Sequence, residues 1–130
     1  MVVIEAEANG RAAVTGNPGD VYLENALVLA YSIKNKAVVK LDDSDKLTIH
    51  SQNNHDSAHN LIHQTLKHFS IDSPLKIDYS STIPFKCGLG GSAAILVSLI
   101  ACLDRKFNLK LSQIDISKHA LKIEHELNIN

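Results

Sequence analysis

Cysteine is scarce in this chain. Cys87 and Cys102 are the only two, and their spacing fits neither a redox pair nor a zinc knuckle. A reduced, cytoplasmic protein is the expectation. An excess of charge is also missing. The 13 Lys and Arg against 14 Asp and Glu leave a net charge of −1, and no basic stripe forms anywhere. Nucleic acid is therefore not the expected partner. Long apolar runs are absent too. The longest, Ala93 to Leu103, is broken by Ser98 and falls well short of the about 20 residues a membrane span needs. Met1 to Gly10 holds Glu5 and Glu7 and lacks the basic start and apolar core of a secretory signal. No repeat, low-complexity tract or linker divides the sequence, so residues 1–130 read as one domain.

What is present is ordinary globular material. Hydrophobic residues make up 45% of the chain, enough for one buried core. Met1 to Ala8 reads as a strand, and Gly10 to Tyr22 as strand and loop. Ala26 to Ile33 is apolar and Lys36 to Leu41 is strand-like, with a turn expected at Lys34 and Asn35. Lys46 to His50 alternates like a short edge strand. Asp56 to Phe69 has helical periodicity through Ala58, Leu61, Ile62, Thr65, Leu66 and Phe69. Pro74 to Tyr79 reads as a strand with Leu75, Ile77 and Tyr79 on one face. Ser92 to Phe107 is a helix apolar nearly all round, hence buried. Ser112 opens a last helix, with Asp115 completing a capping box and Ile116, Ala120, Ile123 and Leu127 forming its apolar face. Strands early and helices late predict an α+β fold.

The chemically informative segment runs Thr82-Ile83-Pro84-Phe85-Lys86-Cys87-Gly88-Leu89-Gly90-Gly91-Ser92-Ala93-Ala94. It joins a predicted strand to the buried helix. Glycines let backbone amides approach an anion closely, and the helix adds its unpaired amides and the positive end of its dipole. Ser92 supplies a hydroxyl there, and Ala93 and Ala94 allow tight packing. The Walker A loop is excluded because no Gly-Lys-Ser/Thr ends the segment. Gly88 to Ala93 fits the loose dinucleotide pattern G-x-G-x-x-A, but the intervening proline loop and the continuing helix do not suit that fold. A protein-kinase glycine loop needs a hairpin and a V-A-x-K strand. A glycine-rich helix entry without a ligand is the plain alternative.

Pro84 through Ala94 resembles the second conserved motif of the GHMP kinases, roughly P-x-x-x-G-L-G-S-S-A-A, with Gly91 in place of the first serine. Gly10-Arg11-Ala12-Ala13-Val14-Thr15-Gly16-Asn17-Pro18-Gly19-Asp20 resembles the first motif of the same family, with Asn9 where proline is usual. Its Gly16-Asn17-Pro18-x-Asp20-Val21-Tyr22 stretch is most similar to glucuronokinase-type sugar-1-kinases. The resemblance implies a two-layer N-terminal domain, like one domain of a small-subunit ribosomal protein, spanning residues 1–130. It implies a catalytic Asp just beyond Asn130 and a ferredoxin-like C-terminal domain after it. It further implies ATP-dependent, Mg²⁺-assisted phosphoryl transfer to a hydroxyl of a small metabolite, most simply a sugar or sugar acid. Mevalonate-type substrates and a non-catalytic binding module of the same fold stand as alternatives. By itself the segment is expected to be inactive and to self-associate through the face the missing domain would cover.

The resemblance also assigns roles. Pro84, Gly88, Leu89, Gly90, Gly91, Ser92 and Ala93 would bind the nucleotide. Arg11 would steady the transferring phosphoryl group, and Asn17 and Asp20 would bind substrate. Ser92 and Glu124 would hold Mg²⁺, with Glu126 the other candidate on that helix. The plain alternatives are a surface ion pair for Arg11, a turn for Asp20 and a solvated helix face for Glu124. His55, His59 and His63 repeat at helical spacing. A solvated face is expected there rather than a metal stripe.

Overall fold

The computed structural model describes residues 3–15, 29–52, 58–84 and 89–127. Four strands and three helices occur among them. In chain order they are β1 (Ile4–Thr15), β2 (Leu29–Asp43), β3 (Thr48–Ser51), α1 (His59–His68), β4 (Leu75–Ser81), α2 (Gly91–Phe107) and α3 (Gln113–Glu126). The strands form one sheet in the order β1-β2-β4-β3. β1 and β4 run antiparallel to β2, whereas β3 runs parallel to β4. The parallel pair needs a crossover, and α1 supplies it. The expected α+β class holds, and β3 is the edge strand that its alternation suggested.

Residue alternation decides which face of the sheet is covered. Ala37, Val39 and Leu41 of β2 and Leu75, Ile77 and Tyr79 of β4 are buried, while Lys40 and Lys76 between them are exposed. On the covered face all of these but Ala37 meet Ile62 and Leu66 of α1 and Leu99, Cys102 and Leu103 of α2, while Ala37 packs with Ile83 and Ala94. α3 packs on the helices through Ala120 and Ile123 against Leu61, Leu96 and Ile100. α2 is the most buried of the three described helices, in line with its largely apolar sequence. Its one buried hydroxyl among the core leucines, Ser98 Oγ, donates to the Ala94 carbonyl at 2.8 Å, which avoids the cost of an unmet polar group. Burial pushes the Cys102 thiol up to about 11, and its Sγ donates weakly to the Val39 carbonyl at 3.4 Å. The predicted capping box of α3 is present. Asp115 N donates to Ser112 Oγ and Ser112 N donates to Asp115 Oδ2, both at 3.1 Å.

One expectation is corrected. Lys34 and Asn35 are not a turn, because β2 runs straight through them. The pairing slips there instead. Asn9 faces Lys36 but Arg11 faces Ser32, so Gly10 alone stands opposite the stretch Ile33-Lys34-Asn35. This is a bulge, and its extra residues give the local irregularity that turn-forming Asn suggested. α1 runs from His59, with Ala58 as its N-cap, and the part of the expected helix before Ala58 lies outside the described residues. The expected loop from Gly16 onward, including Asn17 and Asp20, lies outside the described residues, as do His55, Asp56, Cys87 and Gly88.

Candidate active site

α2 starts in the glycine segment. Gly90 is its N-cap with φ 77° and ψ 27°, a left-handed conformation that a side chain disfavours. The first helical bond runs from Ala94 N to the Gly90 carbonyl at 2.9 Å. The amides of Gly91, Ser92 and Ala93 therefore precede the helical ladder and have no acceptor within the helix. The first turn holds no acidic side chain, so the helix's own sequence does nothing to offset the positive end of the dipole. Ser92 is exposed on this turn, while Ala94 is buried beneath it with Ala37 and Ile83. Small side chains are thus needed at Ala94 for the reason its sequence position suggested.

The two glycine-bearing motifs meet in space. Arg11 N donates to the Leu89 carbonyl at 2.7 Å. A Cβ on Gly10 would come within 2.7 Å of that same oxygen and 3.0 Å of Ile33 Cδ1, so only glycine fits between bulge and loop. A Cβ on Gly90 would lie 3.0 Å from Arg11 Cγ and 3.9 Å from its Nε. The Arg11 side chain thus runs along the helix entry. Gly91 differs, since a Cβ there meets nothing nearer than Ile83 Cγ2 at 3.7 Å. The serine usual at this position would fit.

Glu124 of α3 is within the electrostatic reach of Arg11. Burial pushes its carboxyl above the usual range, and the Arg11 guanidinium partly offsets this. Glu126 points elsewhere, accepting from Gln64 Nε2 of α1 at 2.8 Å, so of the two candidates on α3 it is Glu124 that shares a neighbourhood with Arg11. Among the described residues no three His, Cys, Asp or Glu side chains cluster to cage a metal. A hydroxyl and a carboxylate suit Mg²⁺ nonetheless, since that ion usually keeps waters and takes phosphate oxygens as further ligands.

Residues of the early part of the chain (Gly10, Arg11) and of the late part (Leu89 and Gly90, at the entry of the helix that carries Ser92) are therefore brought together, and Glu124 lies within the electrostatic reach of Arg11. Pro84 is exposed at the departure from β4. Asn17, Asp20 and Gly88 lie outside the described residues.

The GHMP kinases N terminal domain family matches residues 57–130. The chain belongs to the GHMP kinases. Among relatives, mevalonate kinase of Saccharolobus solfataricus is 26% identical over 95% of this chain and 44% of its own length. Galactokinase of Thermosipho africanus is 26% identical over 93% of this chain and 38% of its own length. The structure of Streptococcus pneumoniae phosphomevalonate kinase in complex with phosphomevalonate and AMPPNP superposes with a TM-score of 0.74 at 17% identity, covering 99% of this chain and 44% of that one. This GHMP kinase chain thus spans less than half the length of these relatives.

Some of the neighbourhood escaped sequence reasoning. Asn9, Asn35 and Thr82 hold the bulge and the loop root through hydrogen bonds described below. Of the three repeating histidines, His55 lies outside the described residues. His63 is exposed, whereas His59 stands edge-on to Tyr79 with ring centroids 6.1 Å apart. The close histidine pair is another one. His68 Nε2 and His119 Nδ1 lie 2.9 Å apart between α1 and α3. No helical spacing within one element announces a contact of that kind. No described helix is long and apolar enough to cross a membrane.

Proposed function

We propose that this GHMP kinase chain is the nucleotide-binding half of an enzyme that transfers a phosphoryl group from ATP to a hydroxyl of a small metabolite. The observation that carries the reading is the Arg11 side chain lying along the left-handed glycine entry of α2. Amides at Gly90, Gly91, Ser92 and Ala93 bind the phosphate oxygens through the unpaired donors of the helix start. Arg11 offsets charge on the transferring group, a task suited to a permanently charged guanidinium. Ser92 and Glu124 are the residues to hold Mg²⁺, which when bound neutralises phosphate charge. Gly88 and Pro84 complete the loop, and Asn17 and Asp20 bind the acceptor.

A sugar or sugar acid is the favoured acceptor, on the strength of the Asn17-Pro18-x-Asp20 stretch. A mevalonate-like acceptor is the second reading, favoured by the relative from Saccharolobus solfataricus. A reducing, cytoplasmic setting belongs to this proposal, supported by the buried free thiol of Cys102. So does self-association of the isolated chain, for which exposed Leu29 and Tyr31 of β2 offer apolar surface.

Turnover requires a base for the attacking hydroxyl and exclusion of water. We assign both to chain lying outside these 130 residues, as the length of the relatives suggests. The test is an ATP-consumption assay on a panel of sugars, sugar acids and mevalonate, together with MgATP and RNA titrations by calorimetry. MgATP binding without turnover by this chain, and turnover by a longer natural form, is the expected result. RNA binding without MgATP binding would refute the kinase reading in favour of a binding module.

A further inference from the structure

The bulge in β2 leaves main-chain groups without ladder partners, and side chains take them up. Asn9 Nδ2 donates to the Ile33 carbonyl at 2.7 Å. Asn35 Nδ2 donates to the Thr82 carbonyl, also at 2.7 Å. The regular β2–β4 pairing ends at Ala37 with Ser81. One step further, Thr82 N donates to the Lys36 carbonyl at 2.9 Å and Lys36 N donates to Thr82 Oγ1 at 3.0 Å. Thr82 is where the glycine segment leaves the sheet.

The far end of the segment returns to the other side of the same bulge. Leu89 accepts from Arg11 N, and its carbonyl presses on Gly10, which is itself walled by Ile33. Both ends of the loop are therefore registered to one irregular stretch, Ile33-Lys34-Asn35. Arg11 and the amides of Gly90 and Gly91 keep their relative position only while that stretch keeps its shape. Chemical sites need their groups held within about 0.5 Å by such supporting contacts.

We propose that Asn35 and Thr82, together with Asn9 on the opposite side, are positioning residues that set the glycine loop against Arg11. The inference rests on the nucleotide reading given above for its purpose, but its geometry is separable from it. These hydrogen bonds are exposed and add little to global stability. Their effect is local, on the loop's root and on the Arg11–Leu89 bond at its other end.

The experiment uses the 130-residue chain labelled for amide hydrogen exchange, with Asn35→Ala, Thr82→Val and Thr82→Ser. In Asn35→Ala and Thr82→Val the Arg11 amide is expected to exchange about tenfold faster, while Leu99 and Leu103 amides in the core stay unchanged. Thr82→Ser keeps the hydroxyl and should retain native protection at Arg11. MgATP titration followed at the Gly90 and Gly91 amides should show about fivefold weaker binding in the first two variants, because misplaced donors lose affinity. Unchanged Arg11 protection in both Asn35→Ala and Thr82→Val would overturn the inference, as would equal acceleration across the core, which marks a merely structural role. A wild-type chain that binds no MgATP refutes the nucleotide reading, and the exchange comparison still decides the positioning role.

Discussion

Gly90 and Arg11 occupy each other's space: a side chain on the glycine would begin 3.0 Å from Arg11 Cγ, at a backbone φ of 77°. Gly90→Ala therefore acts twice. The left-handed conformation costs about 1–2 kcal/mol with a Cβ present, and Arg11 must shift. Gly90→Val, which adds branching, should abolish MgATP binding. Gly91→Ser, with open space around it, should leave both thermal stability and MgATP binding nearly unchanged. Calorimetric titration of the three variants beside the wild type checks this contrast, and MgATP binding by a folded Gly90→Val protein would contradict it.

Arg11→Ala in a catalytically complete form should lower kcat more than it raises the KM for ATP. The charge on the transferring group is greatest in the transition state, so a group that meets it there acts mainly on kcat. Loss of one such donor costs about 3 kcal/mol of barrier. Steady-state kinetics decide the matter, and a near-native kcat would make Arg11 a structural residue.

Glu124 provides a stability test with a defined sign. Burial raises its carboxyl above the ordinary 4.5, with Arg11 and then His125 pulling it back. Because the folded value exceeds the unfolded one, the group supports folding only while protonated. That contribution is complete below the unfolded value and lost as pH rises through the folded one. At neutral pH the buried charge is a net cost, so Glu124→Gln should melt higher than the wild type. The gain should vanish near pH 4. In an Arg11→Ala background the gain should grow, because the offsetting cation is gone. Thermal melts across pH measure all of this. A lower melting temperature for Glu124→Gln at neutral pH would contradict the burial argument.

The histidine pair predicts the opposite pH trend. His68 is held below its ordinary 6.5 by burial first and then by His119, against an opposing pull from Glu126, with Lys122 adding the smallest lowering. A depressed histidine stabilises the fold above its unfolded value, and that support is lost as pH falls through the folded one. Two protonated rings 2.9 Å apart would repel as well. Acidification below about pH 6.5 should therefore loosen α3 from α1. His68→Phe should flatten this part of the stability profile. An unchanged acid slope in that variant would place the sensitivity elsewhere.

Much of this architecture was legible from pattern alone. The alternation of Leu75, Ile77 and Tyr79, the all-round apolar face of α2 and the Ser112–Asp115 box each depend on near neighbours in sequence, and each appears as read. The turn at Lys34 and Asn35 failed because turn chemistry and bulge chemistry use the same residues. Only the partner strand, with its own register, distinguishes them. The site was legible as motifs but not as contacts. Glycine at position 10 reads as a flexible residue, yet its reason is the Leu89 carbonyl far along the chain. Nothing local to Glu124 separates it from Glu126, and only the packing of α3 puts one under the electrostatic influence of Arg11 and gives the other a hydrogen bond from Gln64.

Strand β1 is, with β3, one of the two outer strands of the described sheet, paired with β2 alone, and it carries Arg11. Half of the site thus rides on a strand held in the sheet by one neighbour, and the other half on the most deeply buried helix. A nucleotide that grips both ends of this seam acts as a staple. Its binding would suppress release of the amino-terminal segment by RT ln(1 + [L]/Kd), so ligand occupancy should register first as resistance of β1 to proteolysis, ahead of any change in the interior.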